Sequence, residues 1–260
     1  MAKKNITGLR EYKIVKSNDI IQKARFQLST QEQKIILYLI SKIKPTDKEF
    51  ESYSFSIVEF CNICGINLDS GANYSNLKST IKSLADKSLW VKLEKNKQTL
   101  VRWINKASIL ENTGIVEIRL DDDMKPYLLE LKYNFTQYEL LYTLAMKSQY
   151  SIRLYEILKS YEFKKTIIYE IENLKQILLA ENYKLFGDFK RRVIDIAITE
   201  INNLSDISIT YELIKEGRKY VKIKFVIKLK KDLDERLVTW KRIHEVIDPG
   251  QLSLLEAIDK

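Results

Sequence analysis

One order of sequence signals occurs twice in the 260 residues, roughly 110 positions apart, and no other feature restricts the possible folds so much. Ser29-Thr30-Gln31-Glu32 and Thr136-Gln137-Tyr138-Glu139 both have the form in which a hydroxyl caps a first helical turn and a glutamate three residues on reaches back to it. Each is read as the opening of a helix. The short alternating segments Phe55-Ser56-Ile57 and Tyr169-Glu170-Ile171 then run into the apolar helical stretches Val58-Glu59-Phe60 and Glu172-Asn173-Leu174. A third helix follows in each copy: Leu77, Ile81, Leu84 and Ala85 recur with the same spacing as Phe189, Val193, Ile196 and Ala197, which predicts a core-facing stripe. Trp90-Val91-Lys92-Leu93 and Ile207-Ser208-Ile209-Thr210-Tyr211 alternate, and each is followed by a polar turn and a second alternating run, the pattern of a hairpin. Helix, strand, helix, helix and hairpin in that order make a helix-turn-helix with a β-hairpin wing. The expected fold is therefore α+β, two tandem winged-helix domains.

Length supports a pair of domains, at roughly 100 to 200 residues each. The divisions expected are 12–125 for the N-terminal domain, 126–231 for the C-terminal domain and 232–260 for a last helix, from Arg236 to Ile247, and a tail. Seven glycines and three prolines leave little room for long linkers. The net charge of +9 favours an anionic partner, and its distribution is more telling than its size. Lys190 to Lys231 holds eleven Lys plus Arg against five Asp plus Glu, a surplus of six, so the second module is the more basic one.

The helices predicted to carry that charge are amphipathic in the sense a DNA groove requires. In the first copy, a helix from about Asn73 to Lys87 turns Asn73, Tyr74, Asn76, Lys78, Ser79 and Lys82 away from its apolar stripe, and these groups suit phosphates and base edges. In the second, a helix from about Asp188 to Asn202 opens on Lys190-Arg191-Arg192, and the guanidinium fork can bind guanine O6 and N7 together. Cations in a first turn oppose the helix dipole by about 0.3 to 1 kcal/mol unless an anion such as phosphate compensates. The hairpin tips add Lys92, Lys95, Lys97 and Arg102 in the first copy and Lys215, Arg218, Lys219 and Lys222 around Glu216-Gly217 in the second, placed to position the backbone of adjacent DNA. A merely solvated basic face, and lysines that block edge pairing, are the plainer readings of the same residues.

Several function classes are excluded by what is missing. No G-x-x-x-x-G-K-[ST] or G-x-G-x-x-G sequence occurs, which removes phosphate-cradling loops and with them an ATPase reading. The one histidine, His244, lies in the late helix and is expected at the surface; no catalytic residue, cofactor or metal is assigned. Cys61 and Cys64 form a single C-x-x-C in an apolar helical run and read as small buried side chains, since structural zinc needs four ligands. Asp121-Asp122-Asp123 follows the predicted strand Ile115 to Leu120 and reads as a cap and connector before a cation site. Most of the fifteen tyrosines alternate with apolar neighbours, as core residues do, which weighs against a tyrosine nickase. No run approaches a membrane span and the N-terminus lacks a signal-peptide core, so the protein is expected in the cytoplasm with no membrane partner.

The run Phe186-Gly187-Asp188-Phe189-Lys190-Arg191-Arg192-Val193-Ile194-Asp195 through Ala197, Glu200-Ile201-Asn202, Ser205-Asp206-Ile207, Tyr211-Glu212 and Lys215-Glu216-Gly217-Arg218-Lys219, with Ile223 and Phe225, resembles the second winged helix of the iteron-binding plasmid replication initiators. Asn18 to Arg25, Leu28-Ser29 and Gln31-Glu32-Gln33-Lys34 resemble that family's N-terminal opening, and Ser151 to Glu156 the start of its second domain. The resemblance covers about residues 12 to 230. It implies a non-enzymatic initiator that binds double-stranded origin repeats (iterons) through both winged helices, promotes opening of adjacent DNA and recruits host replication proteins, a helicase or an initiator. It also implies self-association as a dimer through the first winged helix, with autorepression. Rolling-circle initiators are the contrasting class and need a histidine-rich metal site. Beyond Asp248-Pro249-Gly250, the segment Gln251-Leu252-Ser253-Leu254-Leu255 resembles the short motif by which bacterial replication proteins bind the β sliding clamp, with Leu255 where that motif often has phenylalanine. A transcriptional regulator of the same fold without initiator activity, a nickase and a structural adaptor remain the alternatives.

Overall fold

A computed structural model describes residues 13–44, 46–65, 73–94, 97–110, 113–129 and 131–247. The first copy comprises β1 (Lys13–Ser17), α1 (Asn18–Lys23), α2 (Thr30–Ser41), β2 (Ser52–Ser56), α3 (Ile57–Cys64), α4 (Asn73–Ala85), β3 (Ser88–Glu94), β4 (Lys97–Arg102), β5 (Ile104–Leu110), β6 (Ile115–Leu120) and the short α5 (Lys125–Leu128). The second comprises β7 (Phe135–Glu139), α6 (Leu140–Ala145), α7 (Gln149–Ser160), β8 (Thr166–Glu170), α8 (Ile171–Leu178), a helical run of α9 (Phe186–Phe189), a π turn (Lys190–Ile194) and α10 (Asp195–Leu204), then β9 (Ile207–Glu216) and β10 (Lys219–Leu229). α11 (Leu233–Val246) packs on α10 and α6.

The duplication runs deeper than the repeated helices and hairpins. β1-α1-α2 and β7-α6-α7 match element by element, with strands of five residues and helices of six and twelve. The equivalent strands β1 and β7 pair with each other antiparallel, Lys13 opposite Glu139 and Ser17 opposite Phe135. Antiparallel pairing of equivalent strands places a local two-fold relation at Val15 and Gln137, and the helices obey it: α1 packs on α7 while α2 packs on α6. Each copy thus completes the other's core.

Two sequence expectations fail here for identifiable reasons. Thr136 to Glu139 does not form a capping box: α6 begins only at Leu140, with Glu139 at its N-cap position and no side-chain cap bond there. The segment is most of β7, where the inward-outward alternation of Phe135 to Tyr138 prevails over the hydroxyl-to-glutamate spacing, and the Thr136 hydroxyl donates to Asn18 Oδ1 at 2.5 Å. The cap of the second copy is Ser148, whose hydroxyl accepts from the Tyr150 N–H at the start of α7. In the first copy Ser29 and Glu32 form the full capping box as expected. The apolar stripe of the second third-helix also departs from the expected spacing. Ile196 is 43% exposed, whereas Phe189, Val193, Ile194, Ala197 and Ile201 are buried, because the π turn shifts the phase of the helix by one residue. In α4, Leu77, Ile81 and Leu84 are buried as expected, while Ala85 at the helix end is exposed.

The wings also differ between copies. In the second, β8 joins the hairpin in a three-stranded sheet, β8-β10-β9. In the first, β2 pairs instead with β6 of an additional hairpin, giving β2-β6-β5, and the wing β3-β4 stands as a two-stranded ribbon. α3 and α8 both end in a left-handed residue, Gly65 at φ 66° and Leu179 at φ 50°. Glycine takes that conformation freely, whereas a leucine there is strained by about 1 to 2 kcal/mol.

Candidate nucleic-acid interface

Cys61 and Cys64 are buried on α3, and burial pushes both thiols up. Asp121 caps the turn before α5 by accepting from the Asp123 N–H, and Asp122 is held by Arg119 and Lys125, whose bonds keep its carboxyl below the ordinary range. The connector reading of this triplet holds. Tyr38, Tyr127, Tyr138, Tyr155 and Tyr169 are buried, and His244 is exposed beside the Trp240 ring. Among the described residues, no group of three potential ligands could hold a metal, and no helix is long and apolar enough to cross a membrane.

The basic residues of the second module converge on its third helix and wing. The helix starts at Phe186, two residues earlier than expected, so Asp188 occupies its first turn and the arginines follow in the next. The dipole argument for an anion at Lys190-Arg191-Arg192 therefore loses its force, since the effect fades beyond the first turn. Arg191 is 70% exposed and reaches Asp188 at 2.9 Å; Arg192 is 61% exposed with its Nε 4.0 Å from the same carboxylate. Solvent-exposed pairs of this kind are worth little and exchange readily for a phosphate or a base edge. Lys190 is differently placed. Its ammonium lies 2.7 Å from the Asp195 carboxylate and 5.9 Å from the centre of the Tyr211 ring. The bond to Asp195 raises the lysine pKa. For Asp195, burial opposes the charge, and the bonds from Lys190 and Tyr211 outweigh it and leave the carboxyl below its ordinary value.

At the second wing, Gly217 takes φ 61° at the first of the two turn positions between paired Glu216 and Lys219, the pattern of a type II′ hairpin. Lys215, Arg218 and Lys219 are exposed around this tip. The Lys215 ammonium lies 4.7 Å over the Tyr220 ring, which itself packs 5.1 Å from Phe186 at the start of α9. Lys222 stands back from the tip between Glu170 at 3.3 Å and Glu216 at 3.6 Å, and its bond to Glu170 raises its pKa.

In the first module, Asn76, Lys78, Ser79 and Lys82 all face solvent on α4. The Ser79 hydroxyl donates to the Asn76 carbonyl at 2.9 Å, and Lys82 pairs with Asp86 at 2.5 Å. Arg102 is exposed on β4 opposite Ser88. Lys95 lies outside the described residues, as do the side chains of Asn73, Tyr74, Lys92 and Lys97 and the whole of Gln251 to Leu255. Behind α4, Glu32 accepts from the Ser29 N–H at 2.7 Å, from the Ser83 hydroxyl at 2.7 Å and from Lys87 at 2.5 Å, which pins the end of this helix to the start of α2. The second module braces the same seam with the carboxylate on the other side: Glu200 of α10 accepts from the Lys147 and Ser148 N–H groups at the start of α7.

Sequence reasoning missed the side chains that orient the basic groups: Asp188, Asp195, Tyr211, Phe186 and Tyr220. Asp188 stands three and four residues before the arginines, the ordinary spacing of a helical ion pair, and was available to a closer reading. Asp195 is five from Lys190, a spacing that carries no signal in an α-helix.

Two tandem winged helices, each with exposed cations on its third helix and, in the second, on the wing tip as well, define the class. The sequence profile described as "Initiator Replication protein, WH1" matches residues 13–159, and that described as "Initiator Rep protein, WH2" matches 170–227. The chain belongs to this family of initiator replication proteins. The first profile runs through β7, α6 and α7, which the pairing of β1 with β7 joins to the first module. Among curated relatives, a "Replication initiation protein" of Escherichia coli is 24% identical over 87% of this chain and 72% of its own length. The "PI protein" of Escherichia coli is 30% identical over 48% of this chain and 47% of its own length. A solved structure described as "Pi initiator protein in complex with iteron DNA" aligns with 86% of this chain and 99% of its own, with a TM-score of 0.67 and 23% identity, which shows the shared fold.

Proposed function

We propose that this protein initiates plasmid replication by binding iterons, repeated double-stranded sequences of its origin, through both winged helices without catalysing a reaction. The observation that carries this reading is the exposure of Arg191 and Arg192 on the third helix of the second module beside a wing tip that presents Arg218 and Lys219. The solved relative bound to iteron DNA supports it. In this reading residues 126–231 supply the main recognition, with Arg191 and Arg192 on base edges and Lys215, Arg218, Lys219 and Lys222 on flanking backbone. Residues 12–125 add weaker contacts from Asn76, Lys78, Ser79, Lys82, Lys95, Lys97 and Arg102 and form the dimer that represses its own promoter. Residues 232–260 form a C-terminal helix and tail, and Gln251 to Leu255 bind the host sliding clamp. The protein acts in the bacterial cytoplasm.

The test is a footprint and salt titration on the plasmid DNA upstream of the coding sequence, with Arg191→Ala and Arg192→Ala alongside. Protection of regularly spaced direct repeats, weakened by about 1 to 3 kcal/mol at particular bases in the variants, is the expected result. Protection of a lone inverted repeat, with no origin opening, would point instead to a transcriptional regulator. No specific protection would refute the reading. For the tail, a labelled peptide of residues 248–260 should shift in fluorescence with clamp, and Leu254→Ala with Leu255→Ala should abolish the shift.

A further inference from the structure

The helical run from Phe186 to Leu204 contains one π turn, Lys190–Ile194, closed by the Asp195 N–H on the Lys190 carbonyl. Its counterpart α4 is unbroken α-helix. In an α-helix a residue five positions on lies about 140° around the axis, too far round to meet its partner. The wider turn brings the two together, and the Asp195 carboxylate takes the Lys190 ammonium at 2.7 and 3.0 Å. The same carboxylate accepts the Tyr211 hydroxyl of β9 at 2.6 Å. Three side chains therefore bridge the π turn and fasten it to the wing. The added residue also fixes which groups face outward: Val193 and Ile194 are both buried, while Arg191 and Arg192 just before them are exposed.

We propose that Asp195 and Tyr211 are positioning residues of the DNA-reading surface, which by closing the π turn onto β9 set the direction in which Arg191 and Arg192 leave the helix, with Lys190 part of this brace and not a DNA contact. The proposal rests on the DNA-reading role of the second module. Discrimination between bases then depends on two side chains that touch no DNA. Electrostatics alone argues the reverse, since removing the Asp195 charge makes the surface more positive and should tighten binding.

The experiment measures binding by fluorescence anisotropy to a duplex carrying the footprinted repeat and to a scrambled duplex, over a salt series, for the wild type, Asp195→Asn, Tyr211→Phe, Lys190→Met and Arg191→Ala. Asp195→Asn and Tyr211→Phe should each lower the ratio of specific to scrambled affinity by about 5- to 150-fold, the range spanned by one well-placed bidentate contact. The salt slope should stay unchanged, because no phosphate contact is lost, and the double variant should be little worse than Asp195→Asn alone. Circular dichroism checks the fold, and Tyr211→Phe, which deletes one hydroxyl, carries the test if Asp195→Asn does not fold. An unchanged ratio in a folded Asp195→Asn or Tyr211→Phe overturns the proposal. So does a salt slope reduced by about 0.9 in Lys190→Met, which would make Lys190 a phosphate contact. A wild type without preference for the repeat refutes the DNA-reading role itself, whereas loss of preference in Arg191→Ala but not in Asp195→Asn refutes the brace alone.

Discussion

Glu156→Gln should cost this protein far more stability than Lys16→Met, although the two residues form one buried ion pair. Lys16 of β1 and Glu156 of α7 are each 2% exposed, with nitrogen and oxygen 2.7 Å apart. The same carboxylate oxygen accepts the Tyr138 hydroxyl, and the second oxygen lies 3.8 Å from Arg153, which also donates to the Ala24 carbonyl at 2.8 Å. The cluster thus holds two cations against one carboxylate, between the two copies. Removing the carboxylate strands both cations, for which about 3 to 5 kcal/mol is the expected loss. Removing Lys16 leaves Arg153 paired with Glu156 and places a methionine of similar length in the site, so about 1 to 2 kcal/mol is expected from the lost hydrogen bond. The larger figure is a substantial part of a total stability of about 5 to 15 kcal/mol and corresponds to roughly 6 to 20 °C in the melting midpoint. Urea unfolding followed by circular dichroism and by tryptophan fluorescence would measure both variants, with buried Trp103, 6.0 Å from Lys16, as a local reporter. Coincidence of the two probes is the condition for comparing free energies. Burial holds the Lys16 pKa below its ordinary value, so the unfolded chain keeps a proton that the folded one sheds, and stability linked to this group rises with pH up to about 10.4. Glu156→Gln should steepen that rise. Equal losses in the two variants, or a larger loss in Lys16→Met, would refute the account of two cations sharing one anion.

Glu32→Gln should destabilise the first module by about 1 to 3 kcal/mol, because three donors lose a charged acceptor. Burial opposes the Glu32 charge but the bonds from Lys87, Ser83 and Ser29 outweigh it and lower its pKa, so the contribution is complete above the unfolded value near 4.3 and is lost as pH falls through the folded one; acid unfolding should be shallower in the variant. The Cys61 and Cys64 thiols should resist alkylating reagents in the native protein and react at once in denaturant, since both are buried and held protonated; rapid native labelling would contradict that placement. Gly217→Ala should cost about 1 kcal/mol by thermal melting, from the positive φ alone, because no atom lies within 4 Å of the added carbon; Gly217→Asn should cost less.

What could be read in the sequence follows the range of the interactions concerned. The helices after β2 and β8, the Ser29–Glu32 cap, the buried Leu77, Ile81 and Leu84 of α4 and the Gly217 turn depend on neighbours a few residues away, and each is where its local pattern places it. The strand β7 depends on β1, more than a hundred residues earlier, so its local hydroxyl-to-glutamate spacing was misleading. The π turn was invisible for a related reason. Phe189 and Val193 keep α spacing across the turn, and the shift shows only in the folded chain, in the burial of Ile194, the exposure of Ile196 and the contact of Asp195 with Tyr211 on β9. The positions of Arg191 and Arg192 were legible as basic residues opposite an apolar stripe; the identity of Lys190 as a bound group was not.

The two-fold relation between the copies explains why the same frame is used in unlike ways. Packing of α1 on α7 and of α2 on α6, together with β1-β7 pairing, joins the modules through buried side chains, so neither can turn without breaking the Lys16–Glu156 cluster. Beyond this shared centre the copies are free to diverge. The first places its extra hairpin β5-β6 beside β2 and leaves its wing as a ribbon, with Trp90 and Leu100 exposed opposite each other. The second keeps β8 against its wing and ties that wing to its third helix through Asp195 with Tyr211 and through Phe186 with Tyr220. The base-reading surface proposed for the second module needs side chains held on rigid elements, and these two ties supply that support. The charge surplus and the bracing therefore favour the same half of the chain, and they do so through different residues.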